Sequence, residues 1–325
     1  ATLSVIVGGT GNTASGVSSG ILGGNGNTVS GQNAAIAGGF SNTADSDCFV
    51  GGGRTNQANG ATSNVSGGGY NQANGSYSNV AGGFTNQVNG GYSNVAGGSY
   101  NIASGDNSSI VGGFSNEIGF YSFNVIAGGN SNQINATTNS AGCFIGSGQD
   151  NTISGDTSDV CSIVGGSFNS IYGSYSNWAF IGGGDSNSCY GSDCSYSSIV
   201  GGRNNKIQAR YAFIGGGYRN QVSGIGSCIG SGRYNSSSGD YSIVTGGGFN
   251  TASNSYSIVV GGGGNTSSGN SSIVIGGGNN TASGDYSFVG GGNDNQSNAN
   301  SSVICGGKEN ANSGQYSFIG AGYQN

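Results

Sequence analysis

The chain has 325 residues, of which 72 are Gly, with no Pro, Met or His, one Trp, 6% charged residues and a formal net charge of -6. Without His there is no imidazole metal site and no Ser-His-Asp or Cys-His catalysis. With 7 Lys+Arg there is no basic surface for nucleic acid, the apolar runs are too short to span a membrane, and the absence of Pro excludes collagen.

Chain order reveals a repeat. Starting at Asn12, an Asn follows each Gly-rich cluster: Asn12, Asn27, Asn42, Asn56, Asn71 and onward to Asn325. The step is 15 residues in most intervals and lengthens between Asn132 and Asn205. A flexible linker needs no such register. Six residues before each Asn stands Val or Ile, from Ile6, Ile21 and Ile36 to Val289, Ile304 and Ile319. Both suit strands.

Because side chains alternate along a strand, the positions two before and two after the Val/Ile should also face inward. The first is mostly Ser, as in Ser63, Ser78 and Ser242; the second is nearly always Gly, as in Gly23, Gly38 and Gly97. A second inward column lies two after the Asn: Ala14, Val29, Ala44, Ile118 and Val222 among others. Each coil is thus predicted to hold two short strands joined by two turns. In the second turn, Gly16, Gly31, Gly60 and Gly284 are expected to supply positive φ. The Asn side chains are expected to hydrogen-bond from coil to coil.

These columns predict an all-β chain: a single β-solenoid domain over 1–325, of about 21 coils, with irregular longer coils at 133–205. Three outward features are candidate functional elements. Six after the Asn runs a tyrosine column that includes Tyr77, Tyr92, Tyr241, Tyr256, Tyr286 and Tyr316. Stacking accounts for it, and it also suits a surface that holds sugars or proteins. In the C-terminal half, Ile243, Ile258, Ile273, Phe288, Val303 and Phe318 form an apolar stripe. Such a stripe marks an interface, expected here with identical subunits as a homo-oligomer or filament. The third feature is the position after the Asn, which is Thr at Thr13, Thr28, Thr43, Thr251, Thr266 and Thr281 and is interrupted by Gln57, Gln72 and Gln87.

Of seven cysteines, Cys143 and Cys161 occupy equivalent positions on adjacent coils, and Cys189 and Cys194 share one inserted loop. Both pairs are disulfide candidates, which would fit an oxidising, extracellular setting. Gly-rich strings such as Gly290–Asp294 lack the regular acids of calcium-binding repeats, and no catalytic, cofactor or metal constellation emerges.

Ser272-Ile273-Val274-Ile275-Gly276, with Ala282 and Gly284 after it, resembles the head repeat of trimeric autotransporter adhesins (YadA-like). That resemblance implies a left-handed parallel β-roll and an adhesive surface role. Asn27-Thr28-Val29-Ser30-Gly31 resembles the repeat of grass ice-binding proteins. The expected function is a non-enzymatic extracellular structural or adhesive fibre that self-assembles, displays its polar columns and has a host-surface or glycan ligand. The alternative is an ice-binding β-roll, and a phage or virus tail-fibre segment is a third possibility.

Overall fold

The computed structural model describes residues 3–135 and 141–325. All regular structure among them is β, with no helix: 41 two-residue strands form a parallel β-solenoid of about 21 coils with a repeat near 15 residues. The chain divides into two compact units, residues 1–160 with 164–166 and residues 161–163 with 167–325.

In the N-terminal unit, a first sheet runs from Val5–Ile6 to Phe144–Ile145 and a second from Thr13–Ala14 to Thr152–Ile153. Each strand pairs in parallel with its counterpart in the next coil, with equivalent positions opposed: Ile21 faces Ile36, Val80 faces Val95 and Gln72 faces Gln87. In the C-terminal unit the two sheets run from Ser162–Ile163 to Phe318–Ile319 and from Ser170–Ile171 to Ala311–Asn312. There Val259 faces Val274 and Thr251 faces Thr266. The 14-residue coil keeps this register, since Ala35 still faces Phe49.

The core is the two inward columns. Every Val/Ile from Ile21 to Ile304 is fully buried, and Val29, Ala44, Ile118 and Val222 fill the second column. Each buried Val or Ile contributes about 1.5–3 kcal/mol. In later coils the second column turns to Ser237, Ser267 and Ser297, all buried. Their hydroxyls are satisfied inside the coil: Ser267 Oγ donates to the Ser272 carbonyl at 2.8 Å and meets Ser272 Oγ at 2.6 Å. A buried hydroxyl without a partner would be costly.

The turns depart from expectation in two ways. First, the expected positive-φ glycines are not the left-handed positions. Those positions fall mostly on non-glycine residues, with φ between 52° and 63°, and on glycine at Gly11, Gly26, Gly226 and Gly264. They sit just before the Asn (Ser41, Tyr70, Tyr100) and six after it (Tyr77, Tyr92, Tyr241). This conformation costs an L-residue on the order of 1 kcal/mol. It also turns the amide backward, so that Tyr70 N donates to Arg54 O at 2.8 Å and Tyr77 N to Ala61 O at 2.9 Å. Strand amides donate forward instead, as Asn79 N does to Ser93 O at 3.0 Å. Neighbouring coils are therefore bonded in both directions.

Second, glycine is required by close approach. A Cβ on Gly60 would lie 2.0 Å from Gly75 O, although Gly60 has no positive φ. Within each Gly-Gly pair the two members differ. The first, such as Gly82 or Gly97, was expected to face the core, but a Cβ there would meet nothing within 4 Å. The second, such as Gly83 at φ +89°, would drive a Cβ to 2.1 Å from Gly98 O.

Candidate functional site

The Asn column is the most regular polar feature, and it is internal. Asn27 through Asn310 are buried and make the same bonds coil after coil. Asn265 N donates to Asn250 Oδ1 at 3.0 Å, while Asn250 Nδ2 donates to Gly246 O at 2.8 Å and Gly262 O at 3.0 Å. The ladder is therefore part of the core, not a displayed column. What the units do display are shorter outward ladders, such as Asn64–Asn79–Asn94, with Nδ2···Oδ1 distances of 2.7 Å.

The tyrosine column is exposed and stacked. Tyr77 and Tyr92 lie 4.7 Å apart at 8°, and Tyr241 and Tyr256 lie 5.3 Å apart at 10°. Tyr286 and Tyr316 stand on the same column and are both more than half exposed. Ring-to-ring contact on successive coils offsets part of the left-handed backbone cost at these positions.

The apolar stripe also forms a continuous column, with Ile258 facing Ile273, Phe288 facing Val303 and Val303 facing Phe318. Its members cover one another in part. Ile258, Ile273, Phe288 and Val303 are half-buried, while Ile243 and Phe318 are exposed. Val260 and Ile275 extend the apolar surface beside it and are exposed. The three threonines Thr251, Thr266 and Thr281 lie in register on the second sheet of the same unit.

Neither sequence-predicted disulfide forms; none of the seven cysteines is bridged. For Cys143 and Cys161 the reason is positional; Cys189 and Cys194 do lie side by side, as thiols hydrogen-bonded to each other. Cys48, Cys143 and Cys161 occupy the small inward slot that serine fills elsewhere, two before the Val/Ile, and do what that serine does. Ser93 Oγ donates to Gly105 O of the next coil at 2.7 Å; likewise Cys143 Sγ donates to Ser158 O at 2.6 Å and Cys161 Sγ to Ser176 O. Cys189 is buried in the second inward column with its Sγ 3.7 Å from Cys194 O, and Cys194 Sγ meets Ser176 Oγ at 3.2 Å. The inference of an oxidising compartment from these pairs falls with them. Burial pushes the Cys189 thiol well above its ordinary range, and desolvation raises half-buried Cys228. Under native conditions at pH 8, iodoacetamide followed by peptide mass spectrometry should modify exposed Cys305 first. Cys48, Cys143, Cys161, Cys189 and Cys194 should react only after denaturation. Rapid native labelling of Cys143 would contradict this packing.

The densest chemistry on the surface was missed by counting cations for the whole chain. Five of the seven basic residues, Arg203, Lys206, Arg210, Arg219 and Arg233, fall on neighbouring coils of the C-terminal unit. Their spacing along the chain was the available signal. Arg203 pairs with Asp185 at 3.0 Å; among the described residues the only other ion pair is Lys308–Glu309, so the remaining four cations of the group have no acid partner there. Aromatic rings interleave them. The Arg219 guanidinium lies 5.1 Å from the Tyr218 ring and 5.6 Å from the Tyr234 ring, and Arg233 lies 5.8 Å from Phe249. Asn204, Lys206, Arg219, Asn220, Gln221 and Tyr234 line a cleft of about 410 Å³.

Among the described residues, no three His, Cys, Asp or Glu side chains gather in a way that could hold a metal ion, and no helix is long and apolar enough to cross a membrane. No protein-family model matches the chain, and no curated protein matches it.

Proposed function

We propose that this chain is a non-enzymatic structural or adhesive fibre protein of the cell exterior, assembling with identical copies and displaying repeated side-chain columns for attachment. One observation carries the reading: in the C-terminal unit, Ile243, Ile258, Ile273, Phe288, Val303 and Phe318 make an unbroken outward apolar column, widened by Val260 and Ile275. A contiguous patch of this kind normally meets a partner. Apart from Ser287 Oγ, the polar groups buried beneath it are occupied by bonds within and between coils, which suits a scaffold whose chemistry lies on its surface.

Sedimentation velocity tests it. The unaltered chain should sediment as an oligomer or longer assembly at micromolar concentration. Ile273→Lys changes an outward side chain and leaves the buried columns intact. It should therefore shift the distribution toward monomer with an unchanged circular dichroism spectrum. A monomeric unaltered chain sinks the assembly reading.

The register of Thr251, Thr266 and Thr281 favours a second reading, an ice-binding surface built from regularly spaced hydroxyls and methyls. A monomer that inhibits ice recrystallisation, and loses that activity in Thr266→Lys, would select it.

A further inference from the structure

We propose that the cleft between Lys206, Arg219 and Tyr234 is a binding site for an acidic polysaccharide, taking its carboxylate or sulfate groups on the unpaired cations. This rests on the adhesive reading above and names the ligand class.

Charge makes the first argument. The chain carries a net charge of -6, yet five of its seven cations gather within 31 residues of sequence, from Arg203 to Arg233. An acidic surface repels polyanions generally, so a local positive cleft selects the place where an anionic group can settle. Lys206, Arg219 and Arg233 belong to successive coils, with Lys206 facing Gln221 across the second sheet and Arg203, Tyr218 and Arg233 aligned by bridges. Coils are stacked at roughly 4.8 Å, so three successive coils each present one of Lys206, Arg219 and Arg233, at the positions one after, one before and two before the buried Asn. That arrangement suits a polymer bearing a charge on each repeat better than an isolated small anion.

The second argument is preorganisation. Arg219 Nη1 donates to Tyr234 OH at 3.2 Å while its guanidinium rests near two rings, so the cation is held in place before any ligand arrives. Gln221 Nε2 is bonded to Gln208 Oε1 at 3.0 Å, and Asn204 adds a further amide at the rim. Cations with amides beside them match a ligand that carries both acid groups and hydroxyls.

Single-stranded nucleic acid is the competing polyanion, and ring geometry speaks against it. Base stacking needs a free aromatic face. Tyr234 lies parallel to Phe249 at 4.8 Å and 6°, receives Tyr218 at 5.3 Å and 85°, and has the Arg219 guanidinium nearby. Its faces are largely occupied, leaving edges and polar groups to meet a ligand.

The test is isothermal titration of the full chain with dextran sulfate, polygalacturonate, unmodified dextran and oligothymidylate at two salt concentrations. Two variants keep the fold. Lys206→Gln installs the residue already present in the same column at Gln57, Gln72 and Gln221. Arg219→Asn places Asn at a left-handed position that Asn204 and Asn279 also occupy. The expected result is salt-sensitive binding of dextran sulfate, polygalacturonate or both, none of dextran, and a loss of about tenfold in affinity in each variant. Binding of the sulfated polymer alone assigns sulfate esters, and of the uronate alone carboxylates. The proposal is overturned by unchanged affinity in both variants, by oligothymidylate binding as tightly as the polysaccharides, or by no binding to any charged probe. Assembly is read by sedimentation and ligand by titration, so either reading can fail alone.

Discussion

Gly83→Ala should destabilise the N-terminal unit by at least about 4 kcal/mol, the size of effect reserved for backbone clash and strain, while Gly82→Ala should change it by less than about 1 kcal/mol. The residues are adjacent and chemically identical. At Gly83 a Cβ would sit 2.1 Å from Gly98 O and 2.6 Å from Asn86 Nδ2, on a backbone at φ +89°. Relief would require separating two coils and breaking the Asn86 Nδ2 bond to Gly98 O. At Gly82 the same methyl enters open space. Natural variation within the chain follows this division: the first position admits Ser147, Ser231 and Ala321, while the second stays Gly from Gly9 to Gly322. Urea midpoints by circular dichroism compare the pair, and hydrogen exchange locates the damage. Equal losses in the two variants would refute the close-approach account.

Asn250→Ala should cost about 2–5 kcal/mol, from leaving Asn265 N and Gly246 O without partners at about 1–3 kcal/mol each, less some relaxation. The Asn250 side chain bonds Asn265 N, Gly246 O and Gly262 O, and of these Gly262 O keeps a second bond, from Gly248 N at 3.0 Å. Asn250→Asp makes a sharper test because it adds a pH signature. The carboxylate would be fully buried and would face two carbonyl oxygens where an amide had donated, so its folded-state pKa should rise above the unfolded value of about 3.9. The folded variant then holds the proton more tightly than the unfolded one. Its stability is greatest below the unfolded pKa and falls as pH climbs through the range between the two values. Thermal melts from pH 3 to 7 should show the variant losing stability relative to the unaltered chain. A constant difference between the two proteins would mean the side chain had escaped to solvent.

The columns along the strands were legible because strand periodicity converts residue identity directly into direction. Val80 and Val95, Ser78 and Ser93, and Val88 and Ala103 all lie inside, as their alternation requires. Turns carry no such rule. Gly82 and Gly83 look alike as letters, and only the path of the backbone tells which one would strike the next coil. For the same reason the left-handed positions fall on Tyr77 and Tyr92 and not on Gly60 or Gly75. Cys143 and Cys161 misled because equivalent slots on adjacent coils are not bridging positions: a thiol in a serine slot donates to a carbonyl in the turn of the next coil. The cleft at Lys206 and Arg219 was visible as clustering along the chain, but a small total of cations hid where they gather.

The two-way bonding between neighbouring coils has a genetic corollary. Within the N-terminal unit, removing residues 72–86 would join Asn71 to Gln87 and bring Gln57 opposite Gln87, Val65 opposite Val95 and Asn71 next to Asn101 in the buried ladder. Every junction made is of a type already present, because each interface is a nearest-neighbour one. In-frame duplication or deletion of one such block is thus nearly silent in folding terms, whereas a frame-preserving change of any other length must be absorbed by a turn. The molecule behaves as a ruler whose number of divisions can drift between generations while the divisions themselves stay fixed.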